Sequence, residues 1–223
     1  MNNPRAVVVI SPHMDDEVLG CGGTIARHIQ QGDSVAVCIV CNRAYNHRYS
    51  ANAIAKERAA ARQAQKILGY KRLEFLDLPD EKLSLHFQDL LVKLERILVK
   101  VQPEIVYTCH AGDLHQDHRV VAHASNIVLR ATASSARRIL AYEVPSGTDQ
   151  AFPNTAEPFL PNVFMDISNH LNLKLKAMAA YKRESRPFPH PRSREMLTYR
   201  AHVRGAQCGC SAAEAFALLK ETL

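Results

Sequence analysis

Two short clusters of imidazole and carboxylate side chains stand out in this sequence. One spans residues 11–17 and reads SPHMDDE, and the other spans residues 110–118 and reads HAGDLHQDH. Catalytic zinc and similar divalent metals bind such groups, commonly through three protein ligands with one position left for water. His13, one Asp of the pair and one His of the second cluster supply that set. The remaining Asp could take a proton from the metal-bound water, and the remaining His could stabilise an oxyanion or protonate a leaving group.

Each cluster alone has a simpler explanation. An HxDD string often forms a solvated turn or a helix N-cap, because carboxylates interact favourably with the positive end of the helix dipole. A lone HxxH is often no more than a pair of partly buried histidines. Here, however, both clusters directly follow apolar strand-like segments of one α/β chain. Their joint presence favours the metal site.

The elements that must position these clusters alternate between strand and helix. Predicted strands are Ala6–Ser11, Ser34–Cys41, Leu73–Leu76, Glu104–Cys109 and Arg138–Glu143, and predicted helices are Val18–Gln31, Ser50–Leu68, Leu85–Val101 and His118–Thr132. This alternation predicts an α/β sandwich with a mainly parallel sheet. Ligands of such sheets bind at the carboxyl ends of the strands, so the two clusters should meet there although they lie about 100 residues apart in sequence.

The C-terminal third reads differently. Residues 145–161 contain four prolines and a glycine, which favours an ordered surface loop over a flexible linker. A strand at Phe164–Ile167 and helices at Ser168–Tyr181, Glu195–Ala206 and Ala212–Leu219 are predicted beyond it, with Ser168 as a helix cap. We predict a single domain, 1–223, with a core over about residues 1–145 and a C-terminal extension over about residues 146–223.

Composition excludes several classes of protein. The 223 residues are 47% hydrophobic and 22% charged, unlike a disordered, collagen-like or disulfide-dense chain. The net charge of +6 allows an anionic ligand, a membrane surface or nucleic acid without selecting one. No apolar run reaches the roughly 18–20 residues of a membrane span, and none resembles a secretory signal, so we expect a cytoplasmic protein. The six cysteines are expected to be buried thiols rather than a zinc knuckle.

The two clusters also resemble the motifs of a known family. PHMDDE and the following Gly-rich VLGCGGT resemble the A/P-H-P-D-D-E signature of the PIG-L/LmbE-like deacetylases, and HQDHR at 115–119 resembles their H-P-D-H element. Arg58, with the downstream Ala64 and Leu68-Gly69, resembles the family's R…A…LG helix, and the tail at 205–216 resembles its G…G…AEAF ending. The resemblance covers nearly the whole chain. It implies a Rossmann-like three-layer sandwich and a zinc-dependent N-deacetylase acting on N-acetylglucosamine-type sugars.

The resemblance also implies roles for individual residues. His13, Asp16 and His118 match the zinc ligands. Asp15 matches the general base, and His115 matches the residue that, when protonated, stabilises the tetrahedral oxyanion and assists protonation of the amine. Arg58 matches a substrate-contacting arginine. The departures are Met14 and Gln116 in place of prolines and Ala61 in place of a glutamate, and they concern the substrate pocket more than the metal site.

Further substrate-binding candidates lie in two loops. Arg43 belongs to the segment NRAYNHRY at 42–49, after the second strand. His190 and Arg192 belong to the Pro-rich loop at 187–194, where neighbouring basic residues form a patch. That patch would suit a nucleotide-sugar diphosphate or a lipid-linked phosphate, although a solvated basic face is the simpler reading. The family resemblance makes a homo-oligomer reasonable.

Three alternatives remain open at this point. An amidase on another N-acyl amino-sugar or thiol-conjugate substrate would use the same catalytic groups. In either reaction the same ligands could hold a divalent metal other than zinc. A nucleic-acid-binding domain predicts an extended basic and aromatic track, which the sequence lacks, with 6% aromatic residues and no Trp. A dinucleotide-binding oxidoreductase is suggested by GCGG at 20–23, but these glycines fall in a predicted helix rather than in a phosphate-binding turn. The expected partner is an amino-sugar conjugate rather than nucleic acid.

Overall fold

A computed structural model describes residues 3–42, 51–130, 133–152 and 157–223. The described strands are β1 (Ala6–Ser11), β2 (Ser34–Cys41), β3 (Arg72–Leu78), β4 (Ile105–Cys109), β5 (Arg138–Tyr142), β6 (Val163–Asp166) and β7 (Ala213–Glu221). The described α-helices are α1 (Asp16–Gln30), α2 (Ala51–Leu68), α3 (Phe87–Val101), α4 (Gln116–Val128), α5 (Leu171–Ala180) and α6 (Arg194–Cys208). Short 3-10 turns occupy Leu83–His86 and Thr148–Gln150. None of these helices combines the length and apolar character that a membrane span needs.

The seven strands form one sheet in the order β3-β2-β1-β4-β5-β7-β6. The strands from β3 across to β5 pair in parallel, and β7 runs antiparallel to both β5 and β6. This confirms the expected α/β fold with a mainly parallel sheet. The chain winds outwards in both directions from β1 and β4, which are neighbours. The loops after these two strands therefore open side by side, at the switch point where such sheets bind ligands.

Helix α1 packs unusually close to the sheet, and its glycines permit this. A Cβ atom on Gly20 would lie 2.2 Å from the ring of Tyr142, and one on Gly23 would lie 2.7 Å from Ile167. Both glycines are buried inside the helix rather than at a phosphate-binding turn. They therefore serve helix-to-sheet packing, which removes the observation behind the dinucleotide alternative.

The helix predicted at residues 212–219 is wrong, because this segment forms β7. Ala and Leu favour helices, but Gly209, with φ at 78°, ends α6, and the segment after it pairs with β5 on one side and β6 on the other. The Glu214 carboxylate accepts the backbone N–H groups of Gly23 at 3.0 Å and Thr24 at 2.7 Å, and the Lys174 ammonium at 2.5 Å. Tertiary contacts thus override helix propensity and tie β7 to α1 and α5.

Some helix boundaries also differ from the prediction. Helix α5 begins at Leu171, and Ser168 does not cap it, because its hydroxyl donates instead to Asp166 at 2.6 Å. Helix α4 begins at Gln116, two residues before the predicted start. Its N-cap is His115, whose Nδ1 accepts the Asp117 N–H at 3.2 Å. Residues 115–118 of the second cluster thus form the N-cap and the first turn of α4.

An ion pair between Arg5 and Asp33, just before β2, gives a pH-dependent prediction for stability. Burial opposes ionisation of Asp33, but hydrogen bonds from Arg5 and His28 outweigh it and lower the pKa of Asp33 to about 2. A carboxylate with a lowered folded-state pKa stabilises the protein above its unfolded pKa of about 4, and the contribution is lost as the pH falls towards 2. We expect Asp33→Asn to cost about 1–2 kcal/mol at pH 7, allowing for the partial exposure of Arg5. Urea unfolding should show this deficit shrinking between pH 4 and pH 2, whereas a constant deficit would contradict the assignment.

Candidate active site

The loop after β1 holds Asp15 in an uncommon backbone conformation. Its φ is 119°, although it is not a glycine, and its side chain is fully buried. The Asp15 carbonyl accepts the N–H groups of Val18 and Leu19 and so starts α1, while the Asp15 N–H donates to the Glu17 carboxylate at 3.0 Å. Such backbone strain costs on the order of 1–3 kcal/mol and tends to occur at functional sites. The turn buries both consecutive aspartates, Asp15 and Asp16.

Three donor atoms from the two clusters form a compact triangle. His13 Nδ1 lies 3.1 Å from His118 Nε2 and 3.2 Å from Asp16 Oδ2, and the last two atoms are 3.1 Å apart. Ligands about 2.0–2.2 Å from a tetrahedral zinc ion are separated by roughly 3.3 Å, so these atoms can share one metal with small adjustment. Asp16 Oδ1 is buried and has no hydrogen-bond partner among the described residues. The donor set and this orphaned oxygen fit a divalent cation.

Each histidine of this triangle has a carboxylate close to its second ring nitrogen, the one that does not belong to the triangle. His13 Nε2 lies 2.9 Å from Asp80 Oδ1 and 3.3 Å from Asp117 Oδ2. His118 Nδ1 lies 3.2 Å from Asp113 Oδ2. A carboxylate beside one ring nitrogen favours the proton there and leaves the other nitrogen with a free lone pair, as metal-binding histidines require. The surroundings therefore select the tautomers that point lone pairs into the triangle.

Asp80 is a site residue that the sequence analysis missed. It lies just after β3, and its partner His13 is 67 residues away in sequence. The two residues, together with Cys41 and Asp117, place one potential ligand atom each within 4.8 Å of one another, all buried. Its position at the carboxyl end of a parallel strand was the available signal. A single Asp in such a loop carries no spacing motif, so no local pattern distinguishes it from other loop aspartates.

Charges within the triangle shift two pKa values in opposite directions. Burial opposes ionisation of Asp16, but the neighbouring His118 holds the pKa of Asp16 well below its usual range. Burial likewise opposes protonation of His118, but Asp16 and Asp113 raise the pKa of His118 to about 9. A metal must therefore displace a proton from His118, which makes binding weaker at low pH. Asp16 is ready to act as an anionic ligand.

His115 completes the cluster, and its surroundings disfavour the protonated ring. Its ring centroid lies 4.6 Å from that of His13 and 5.0 Å from that of His118. Burial, together with the charges of these two rings, lowers the pKa of His115 to about 3. This shift runs against the protonated state expected from the sequence, and the role of His115 at the oxyanion stays a prediction. Because Nδ1 accepts the Asp117 N–H, the ring proton belongs on Nε2, where it remains available to donate.

Arg192 contacts Asp15, the residue predicted to be the general base. Its Nη1 donates to Asp15 Oδ2 and to Glu184 Oε2, at 2.7 Å each, and its Nε donates to Ser146 Oγ at 2.9 Å. The guanidinium is thus engaged by two carboxylates of the protein, and substrate binding by Arg192 stays a prediction. Arg192 thereby fixes the position of the Asp15 carboxylate.

The other predicted substrate-binding residues are His190, Arg58 and Arg43. His190 supports the loop by accepting the Arg192 N–H at its Nδ1, at 3.1 Å. Arg58 pairs with Asp77, and its guanidinium carbon lies 4.6 Å from the ring centroid of Phe75 on edge strand β3. These contacts do not join Arg58 to the triangle. Arg43 lies outside the described residues. Substrate binding by these three residues stays a prediction.

Comparisons with known proteins bear on the family. The family model described as "PIG-L: GlcNAc-PI de-N-acetylase" matches residues 8–129. The uncharacterized deacetylase YaiS of Escherichia coli K12 is 32% identical over 187 residues, which cover 81% of this chain and 92% of YaiS. The structure of N,N'-diacetylchitobiose deacetylase from Pyrococcus horikoshii matches with a TM-score of 0.77 at 22% identity, over 97% of this chain and 84% of that one. GalB, a 4-carboxy-2-hydroxymuconate hydratase from Pseudomonas putida, matches with a TM-score of 0.79 at 23% identity, over 98% of each chain.

The fold is thus shared by deacetylases and a hydratase, so the structural likeness alone does not decide the reaction. The family match is more informative, because it covers more than half of the chain and contains both clusters, at 11–17 and at 110–118. YaiS extends the likeness over four fifths of the chain. These matches confirm the resemblance seen in the motifs: the chain belongs to the PIG-L family of de-N-acetylases, enzymes that hydrolyse N-acetyl amide groups.

Proposed function

We propose that this protein is a zinc-dependent hydrolase that removes the N-acetyl group from an N-acetylglucosamine-type sugar or its conjugate. The observation that carries this proposal is the buried triangle of His13, Asp16 and His118, which directly neighbours the buried Asp15 in sequence. A divalent ion held by these three residues would lower the pKa of a bound water towards about 7 and polarise the acetamide carbonyl.

Asp15 and His115 would then carry out the proton transfer and the hydrogen bonding that hydrolysis needs. Asp15, with Oδ2 held by Arg192, accepts a proton from the attacking water, whose oxygen bonds to the carbonyl carbon. His115, neutral and protonated on Nε2, donates a hydrogen bond to the oxyanion of the tetrahedral intermediate. The C–N bond then breaks, the amine takes the proton held by Asp15, and the acyl group leaves as acetic acid, which ionises to acetate in solution. The pKa of His115 therefore favours hydrogen-bond donation over the role of a resident acid.

Asp80 provides a prediction for the residues behind the triangle. Asp80→Asn removes the negative charge that holds the proton on His13 Nε2, at 2.9 Å, while keeping the side-chain volume. Since loss of such an outer partner typically costs 10–100-fold, we expect zinc affinity to fall by about that factor. Competition with a chelator measures the affinity directly. Asp89→Asn, at an exposed aspartate on α3, is the matched control, and equal zinc affinity in the two variants would refute the assignment.

Acetate release tests the proposed function. Purified protein with zinc would be offered N-acetylglucosamine, a nucleotide-linked form, and simple glycosides, each also as the N-propionyl analogue. Release of acetate together with free amine supports the proposal. Faster hydrolysis of the propionyl series would favour the amidase alternative. Absence of hydrolysis in every case, from protein with bound zinc, would contradict the proposal and turn attention to hydration chemistry of the kind that the relative GalB performs.

A further inference from the structure

A basic cleft opens next to the proposed base. It has a volume of about 440 Å³ and lies between the C-terminal half of α5, the segment at 182–187 and the first turns of α6. Its cationic lining residues include Lys182, Arg186 and Arg194. Its apolar lining residues include Leu175, Met178 and Leu197. A cleft with an apolar floor and cationic sides suits an organic anion better than a free inorganic ion.

The cations of this cleft are not neutralised by the protein. Lys182, Arg186 and Arg194 are exposed, and none has a carboxylate within ion-pair distance in the part of the chain that the structure describes. Glu195 also lines the cleft but pairs with none of the three. Uncompensated positive charge around a concavity attracts anions and concentrates them there. The two guanidinium groups can bind a phosphate or a carboxylate through paired hydrogen bonds.

Two contacts connect the cleft to the catalytic loop. Arg192 lines the cleft and donates to Asp15 Oδ2 at 2.7 Å. Tyr181 directly follows α5, whose C-terminal half lines the cleft, and donates its hydroxyl to Glu17 in the first turn of α1 at 2.5 Å. Since Arg192 is already engaged by Asp15 and Glu184, the other three cations remain for a ligand.

We propose that this cleft binds an anionic group, a phosphate or a carboxylate, on the aglycone of the amino-sugar substrate. The proposal rests on the proposed function, because it assumes that the acetamide sits at Asp15. It assigns substrate selection to Lys182, Arg186 and Arg194, and none of them to the chemical step. The apolar floor would contact the carbon atoms that join the anion to the sugar.

The experiment compares three synthetic N-acetylglucosaminides that differ only in the aglycone: methyl, glycerol phosphate and glycolate. Arg186→Gln/Arg194→Gln removes two cations of the cleft, and Lys66→Gln/Arg96→Gln removes two exposed cations of α2 and α3 as the matched control. Acetate release gives kcat and KM. Calorimetric titration of each conjugate measures binding independently of turnover.

We expect the cleft variant to raise KM and weaken binding about tenfold for the phosphate conjugate, the glycolate conjugate or both, with kcat and the methyl glycoside unchanged. Which anionic conjugate responds identifies the anion. The control variant should match the wild type. Equal binding of charged and neutral conjugates, or equal losses in the two double variants, would overturn the cleft proposal even if acetate is released. Charge-dependent binding without any acetate release would support the cleft and contradict the proposed function.

Discussion

Asp15→Asn is expected to lower kcat about a thousandfold while the protein keeps its metal. Asn tolerates the positive φ of this position almost as well as Asp and has the same shape, so the loop should stay folded. An amide cannot accept the proton of the attacking water, and loss of a general base typically costs 10²–10⁴-fold in rate. Acetate release and metal content, measured on the same preparation, check both halves of this expectation.

Two results would count against this role of Asp15. Wild-type turnover in Asp15→Asn would show that another group takes the proton. Loss of metal from the variant would show that Asp15 is a ligand rather than a base. Asp89→Asn controls for a change from Asp to Asn at an exposed position and should behave as the wild type.

His118→Ala should remove both metal and activity. The substitution deletes one corner of the triangle and leaves Asp16 and His13 as the remaining pair, 3.2 Å apart. Loss of an outer partner alone typically weakens metal binding 10–100-fold, so loss of a ligand should cost more than about 100-fold. Elemental analysis after dialysis measures the metal, and acetate release measures the activity.

His123→Ala is the matched control for this substitution. His123 lies on the same helix, α4, but is exposed and stacks on Phe87, with ring centroids 5.1 Å apart. It should retain metal and turnover. A full complement of metal in His118→Ala would contradict the ligand role of His118, whatever the activity.

The sequence predicts correctly those elements whose structure follows from the residue pattern of one short segment. Strands β1 and β2 have the predicted boundaries because long β-branched and apolar runs suit strands buried on both faces. The two clusters meet because each follows such a strand, and parallel topology brings neighbouring carboxyl ends together. Strand β7 was predicted as a helix because its alanines and leucines favour one, while its pairing with β5 and β6 is decided by distant parts of the chain.

The contacts that refine the site are long-range and left no local pattern. Asp80 reaches His13 across 67 positions, and Arg192 reaches Asp15 across 177. Arg192 was expected to meet substrate because it lies in a basic loop, but the fold brings a buried carboxylate to it first. The low pKa of His115 follows in the same way from burial and from two neighbouring rings that only the folded chain provides.

The central claim is that the triangle holds the metal on which amide hydrolysis depends. The most direct test strips the protein of metal with a chelator, adds zinc back in steps, and measures bound zinc and acetate release from an N-acetylglucosaminide at each step. We predict negligible release from the stripped protein and a rise that levels off near about one zinc ion per chain. Undiminished release from metal-free protein, or full zinc binding without any gain in release, would contradict the claim.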